Sequence, residues 1–256
     1  MESRARRSSH CGVPENYFDD WIADNAERLW PDVFDPHTVE PAVDFLADLA
    51  GSGAVLELGI GTGRLALPLS RRGVRVSGIE LSPAMVRRLR TQPGGEAIDV
   101  TIGDFASAEV TATFGLAYLV SNTIMNLTTQ EAQVDCFLNV AAHLQRGGRF
   151  VIEVLVPPWQ RLPRGESLIV FERTPMHVGI DEIDVASQQS FSHHLWFIDG
   201  ETKSFSPPFR YVWPAELDLM ARIAGMKLAQ RWSSWKREPF TSESDRHISV
   251  WEKLPD

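Results

Sequence analysis

Val55-Leu56-Glu57-Leu58-Gly59-Ile60-Gly61-Thr62-Gly63-Arg64 is the stretch that decides how this 256-residue chain is read. Val55 to Leu58 form a short, largely apolar run that predicts a buried strand. Glycines at every second position follow, before an apolar helical run that starts at Leu65. Without a Cβ, glycine lets the backbone turn sharply and approach a ligand closely. The loop leads into a helix N-terminus, whose free N–H groups favour a carboxylate or phosphate. Strand, glycine loop and helix together predict a nucleotide-type site.

Two later segments complete the pattern. Arg75-Val76-Ser77-Gly78-Ile79-Glu80 reads as a second strand with an acid at its tip. An acid there is placed to accept hydrogen bonds from both hydroxyls of a ribose. Residues 97–102 read as a third strand, followed by Gly103-Asp104-Phe105. A carboxylate beside an aromatic ring suits adenine, accepting from the exocyclic amine while the ring packs on the base.

From about Val55 to Val156 these residues resemble the cofactor half of the class I S-adenosylmethionine-dependent methyltransferases. The three strand-end motifs occur in that family's order. The resemblance implies S-adenosylmethionine as cofactor, with Glu57, Gly59, Gly61 and Gly63 around its methionine portion. It also implies Glu80 at the ribose, Leu81 beside the adenine, and Asp104 with Phe105 reading the base. Ile60, Arg64, Met85, Ser121 and Tyr17 complete the candidate cofactor set. The wider sequence is similar to small-molecule methyltransferases of actinobacterial type, including natural-product N-methyltransferases. A nicotinamide-binding fold is the rival. It usually shows G-x-G-x-x-G, whose third glycine lets helix and strand pack closely; counted from Gly59, that position is Arg64.

Composition narrows the function classes. A net charge of −9 argues against nucleic acid as substrate, because phosphate binding needs a basic surface. The Arg87, Arg88 and Arg90 cluster reads as a solvated helix face. Hydrophobic residues make up 43% of the chain, enough for a full core, and no apolar run approaches membrane-spanning length. Arg4, Arg6 and Arg7 are not followed by an apolar signal segment. Cys11 and Cys136, the two cysteines, are far apart in sequence, which points to a reduced, cytoplasmic protein.

The predicted fold class is α/β: a Rossmann-like, seven-stranded, mostly parallel sheet with helices on both faces. Residues 1–50 are expected to form an N-terminal helical cover, with 1–13 unstructured and loops at Pro31 and Pro36. Tyr17 and Trp21 are read as sharing a helix face. Residues 51–156 and 214–256 form the expected core, ending in an antiparallel hairpin. Strand–helix alternation gives way after Pro158 to short strands at 168–171, 180–186, 189–198 and 203–213. The expectation for 157–213 is an inserted antiparallel sheet serving as a lid or an oligomer contact. Phe191, Trp196, Phe197, Phe205 and Phe209 supply more apolar surface than a small sheet buries on itself.

Ligands in open α/β sheets sit at the carboxyl ends of the strands, so residues 119–126 are where substrate contacts belong. That stretch lacks the Asn-Pro-Pro-Tyr of enzymes acting on DNA bases or protein amides, and it has no acid to hold magnesium. No histidine spacing suits zinc, and no metal is expected. Methyl transfer is an in-line displacement for which the protein chiefly supplies orientation. An amine attacks once neutral, whereas a hydroxyl needs a base. Tyr17, Asn122 and His194 are the candidate catalytic residues, with His193, Asn126, Arg210 and Tyr211 as further polar candidates. The expected reaction is methyl transfer to a small molecule, with nitrogen favoured over oxygen or carbon; a cyclase or binding protein on the same fold is the alternative.

Overall fold

The computed structural model describes residues 15–255. The expectation for 1–13 therefore lies outside the described residues. Seven strands form the main sheet in the order β11-β12-β5-β4-β1-β2-β3. They are β1 (Val55–Leu58), β2 (Val76–Glu80), β3 (Asp99–Ile102), β4 (Phe114–Leu119), β5 (Leu144–Leu155), β11 (Met226–Trp232) and β12 (Arg246–Lys253). β1 pairs in parallel with β2 on one side and β4 on the other. The chain thus winds outward through β3 and returns beside β1, which makes the crevice above β1 and β4 the switch point where ligands bind. β12 runs antiparallel to both β5 and β11.

Alternate side chains of the central strands feed two apolar layers. Leu56 and Leu58 pack with Phe137 of α6 (Gln130–His143) and Leu217 of α7 (Pro214–Ile223). Val55 packs on the other face with Leu46 of α3 (Pro36–Ala50), Leu69 of α4 (Ala66–Arg71) and Leu89 of α5 (Pro83–Arg90). Ser82 caps α5 by accepting from the Met85 N–H at 3.3 Å, with Pro83 at the first helical position.

The N-terminal helices differ from expectation at three points. Pro31 and Pro36 open helices, α2 (Pro31–Phe34) and α3, where loops were expected. Proline fits there because a first-turn N–H has no intrahelical partner to lose. Tyr17 does not share a helix face with Trp21. Helix α1 (Asp20–Leu29) starts later, because the Asp19 side chain caps it by accepting from the Ile22 N–H at 2.9 Å. Tyr17 lies in the extended run ahead of that cap.

The second sheet comprises β6 (Leu168–Arg173), β7 (His177–Asp184), β8 (Gln189–Ile198), β9 (Glu201–Phe205) and β10 (Pro208–Arg210). The single strand expected over 203–213 is two, β9 and β10, both paired along β8. Proline donates nothing to a ladder, and the chain breaks at Pro207-Pro208. Asp199 and Gly200 adopt φ of +55° and +79°, the left-handed pair of a two-residue hairpin. One face of this sheet packs under α1: Trp30 lies edge-on to Trp196 at 5.6 Å and Phe18 contacts Phe205 at 5.7 Å. Leu168, Val170, Phe191, Leu195 and Phe197 are exposed.

Candidate active site

The glycine loop between β1 and α4 holds Gly59, Gly61 and Gly63 at φ of +66°, +55° and +86°. Their reasons differ. A Cβ on Gly63 would stand 2.3 Å from Leu89 Cδ1, and one on Gly59 would stand 2.8 Å from Thr123 Cγ2, so protein packing excludes both. A Cβ on Gly61 would meet nothing closer than the Gly59 carbonyl oxygen at 4.0 Å. That missing side chain leaves space in the cavity itself.

Glu80 closes the loop from the tip of β2. Its Oε2 accepts from the Gly61 N–H at 2.8 Å and its Oε1 from the Ser82 N–H at 2.8 Å. Burial pushes its pKa up while these backbone donors pull it back. Each oxygen still has lone-pair capacity for a further donor.

Glu57 sits behind the loop, buried, and accepts from the Tyr118 hydroxyl at 2.7 Å. Burial pushes its carboxyl up to about 8, opposed by the Tyr118 hydrogen bond and the Arg64 charge. Arg64 reaches across the crevice, donating to Ser121 Oγ at 2.6 Å and to the Val33 carbonyl at 3.1 Å. Asn122, at φ +62°, accepts from the Leu155 N–H at 2.8 Å and so ties the end of β4 to β5.

A cavity opens at the carboxyl ends of β1, β2 and β4. Gly59, Gly61, Glu80, Leu81, Met85, Asp104 and Phe105 are part of its lining. Asp104 is held there by accepting from the Ala106 N–H at 2.9 Å. Tyr17 lines the cavity as well, with Glu15 and Asn16 beside it in the chain, Thr123, Asn126 and Leu127 from the segment after β4, and Pro207 and Pro208 from the second-sheet segment. The cavity therefore gathers eight residues of the predicted cofactor and catalytic sets, Tyr17 among them, and Asn126 from the further polar candidates. Glu57, Ile60, Gly63, Arg64 and Ser121 are not in its lining, nor are Asn122 and His194.

His194 is buried within the second sheet. It pairs with His177 at 2.9 Å and Ser192 Oγ at 3.2 Å, and stacks on Trp196 at 5.0 Å. Burial pushes it down to about 4, helped by the neighbouring His177 and His193. Arg210 is buried too, paired with Glu216 at 2.6 Å and Gln188 at 3.1 Å. Glu15, Asn16 and the Pro207-Pro208 step escaped sequence reasoning as site residues, whereas Thr123 falls in the 119–126 stretch assigned to substrate contacts. The one available signal for the missed residues was their place beside Tyr17 or at a chain break.

An open, mostly parallel sheet with a glycine cradle at the switch point, an acid at the tip of β2 and an acid–aromatic pair after β3 defines a methyltransferase. Residues 55–148 match the family model described as a methyltransferase domain. The chain is similar to the CcbJ methyltransferase from Streptomyces caelestis, with 33% identity, 94% of this chain and 99% of that chain covered, and a TM-score of 0.84. It is also similar to the cypemycin N-terminal methyltransferase of a Streptomyces species, 26% identical over 87% of this chain and 98% of the relative. The sugar N-methyltransferase KedS8 from Streptoalloteichus sp ATCC 53650 shares the fold, with a TM-score of 0.65, 18% identity, and coverage of 100% of this chain and 99% of that one. The chain belongs to the S-adenosylmethionine-dependent methyltransferase family. The cavity fits that cofactor: Gly61 leaves it open, and Glu80 offers two carboxylate oxygens already oriented by backbone donors. No described helix is long and apolar enough to cross a membrane.

Proposed function

We propose that this enzyme methylates an amine nitrogen of a small secondary metabolite. The make-up of the cavity lining carries the reading. Glu80, Asp104 and Phe105 suit a nucleoside, and Tyr17, Asn16 and Asn126 offer polar groups to an acceptor. The named N-terminal activity of the cypemycin relative supports nitrogen as the atom methylated.

S-adenosylmethionine supplies a methyl group already activated on a sulfonium, so the protein's task is binding, orientation and proton removal. Glu80 accepts from the ribose hydroxyls, and Asp104 accepts from the adenine amine. Leu81, Met85 and Phe105 pack on the base. Gly59 and Gly61 surround the methionine portion. Glu57, Ile60, Gly63, Arg64 and Ser121 hold the loop from behind. Tyr17 orients the acceptor. Asn122 and His194 act on the reaction by shaping the β4 end and the second sheet.

The division into a cover (1–50), a core (51–156 and 214–256) and an inserted sheet (157–213) belongs to this reading. The insert forms a lid, for which the support is Pro207 and Pro208 in the cavity lining. Its exposed apolar residues support a homo-oligomer, and the two cysteines far apart in sequence support a cytoplasmic protein.

Calorimetric titration with S-adenosylhomocysteine and with NAD tests the site. Release of S-adenosylhomocysteine with amine and hydroxyl acceptors tests the reaction. NAD binding without S-adenosylhomocysteine binding, or turnover of hydroxyl acceptors alone, would overturn the proposal.

A further inference from the structure

The cavity has a charge pattern that the cofactor does not account for. Glu15, Glu80 and Asp104 are the charged side chains of its described lining, and no lysine, arginine or histidine lines it. Backbone N–H groups already hold Glu80 and Asp104. Glu15 instead accepts from the Tyr17 hydroxyl at 2.8 Å. The Ser82 hydroxyl fixes this segment in place by donating to the Phe18 carbonyl at 2.5 Å. An exposed carboxylate bridged to a phenol in the lining of a cavity without cations suits a ligand that arrives positively charged.

We infer that Glu15 recognises the acceptor as an ammonium ion and takes its proton, with the Tyr17 hydroxyl as the bridge. The inference rests on the amine reading above. One N–H bond of the ammonium breaks, and its electron pair stays on nitrogen as the lone pair that attacks. Tyr17 accepts that proton while passing its own to Glu15 Oε2, so the phenol ends unchanged and the carboxylate becomes a carboxylic acid. Glu15 is exposed, so water resets it. A neutral hydroxyl acceptor has no such charge to offer.

The test uses the full chain and four probes: methyl glucosaminide, an alanyl dipeptide, and the hydroxyl isostere of each. Binding is measured calorimetrically on protein loaded with S-adenosylhomocysteine. Turnover is followed in the parent, Glu15→Gln and Glu15→Asp. The parent is expected to bind amines more tightly than their isosteres. Glu15→Gln is expected to raise the amine KM about tenfold or more near pH 7, the scale of losing a charge-assisted bond. The deficit shrinks near pH 9.5, where more of the amine is already neutral. Glu15→Asp recovers part of the loss, and S-adenosylhomocysteine affinity stays within about twofold, since no bond to Glu80 or Asp104 is touched.

Unchanged KM and pH profile in Glu15→Gln, with amines still turned over, would overturn the role of Glu15 and leave the amine reading standing. Turnover of the hydroxyl isosteres alone would overturn the amine reading as well. Equal or absent binding of amines and isosteres overturns the inference. So does an equal loss of acceptor and S-adenosylhomocysteine affinity, which would make Glu15 part of the cofactor pocket.

Discussion

The backbone N–H of Gly61 donates to Glu80 Oε2 at 2.8 Å across 19 residues of sequence. The middle glycine of the loop and the acid of β2 therefore form one unit. Glu80→Ala removes the acceptor for Gly61 and Ser82 together with the carboxylate proposed to hold the ribose. It is expected to weaken S-adenosylhomocysteine by roughly 1.5–3 kcal/mol, the scale of hydrogen bonds to a charged group. Gly61→Val is expected to do at least as much harm, because its side chain enters the cavity and its φ of +55° disfavours a branched residue. Titration calorimetry beside thermal melts checks both; parent-like affinity in the two folded variants would displace the site.

Glu57 predicts a pH dependence for the ligand-free fold. Its folded value of about 8 lies above the ordinary carboxyl value of 4.5. Between those values the folded chain holds a proton that the unfolded chain has released, so stability falls as pH rises through that window. Glu57→Gln keeps an acceptor for Tyr118 and removes the slope. Denaturant melts at several pH values should show the parent losing stability against the variant from about pH 5 to about 8. Parallel curves would mean that Glu57 is already ionised in the fold.

Tyr17→Phe removes the hydroxyl that donates to Glu15 and leaves the ring in the cavity wall. Losing one positioning hydrogen bond is worth about 1 kcal/mol, or several-fold in rate. Loss of the bridge to Glu15 adds to this, so amine turnover near pH 7 should fall by more than the several-fold of positioning alone, while the melting temperature holds, because the residue lies ahead of α1 and outside its capping bonds. A loss of only several-fold would leave the hydroxyl a positioning group and take it out of the proton path; an unchanged rate would make Tyr17 a wall residue.

Val170 and Phe191 are 60% and 44% exposed on the second sheet. If this surface joins copies of the chain, Val170→Lys with Phe191→Lys should dissociate the assembly with little change in melting temperature. Light scattering of parent and variant at matched concentration decides it. A parent that is monomeric throughout would discard the oligomer.

Local chemistry carries much of the fold. Glycine spacing at 59, 61 and 63 requires left-handed backbone, and it is read correctly from sequence because no other residue serves there at so little steric cost. Asp199-Gly200 marks its hairpin, and Ser82-Pro83 marks the start of α5, for equally local reasons. The weak points are where two local rules compete. Tyr17 and Trp21 have helical spacing, yet the Asp19 cap starts α1 three residues after Tyr17. Pro31 and Pro36 act as helix starters, since a proline breaks a helix only where its missing N–H was needed.

The amino-acid sequence by itself determined the glycine loop, the acid at the tip of β2, the acid–aromatic pair after β3 and hence the family, because each is written in neighbouring residues. The tertiary structure decided which side chains share the cavity. His194 looks accessible on a strand, but Trp30, His177, Trp196 and Phe205 surround it once the second sheet packs under α1. Glu15 looks like an ordinary acid near the chain start. It reaches the cavity because Ser82, 64 residues away from Phe18, anchors its segment over the loop. Contacts of that range depend on how the layers pack, and no spacing rule along the chain encodes them.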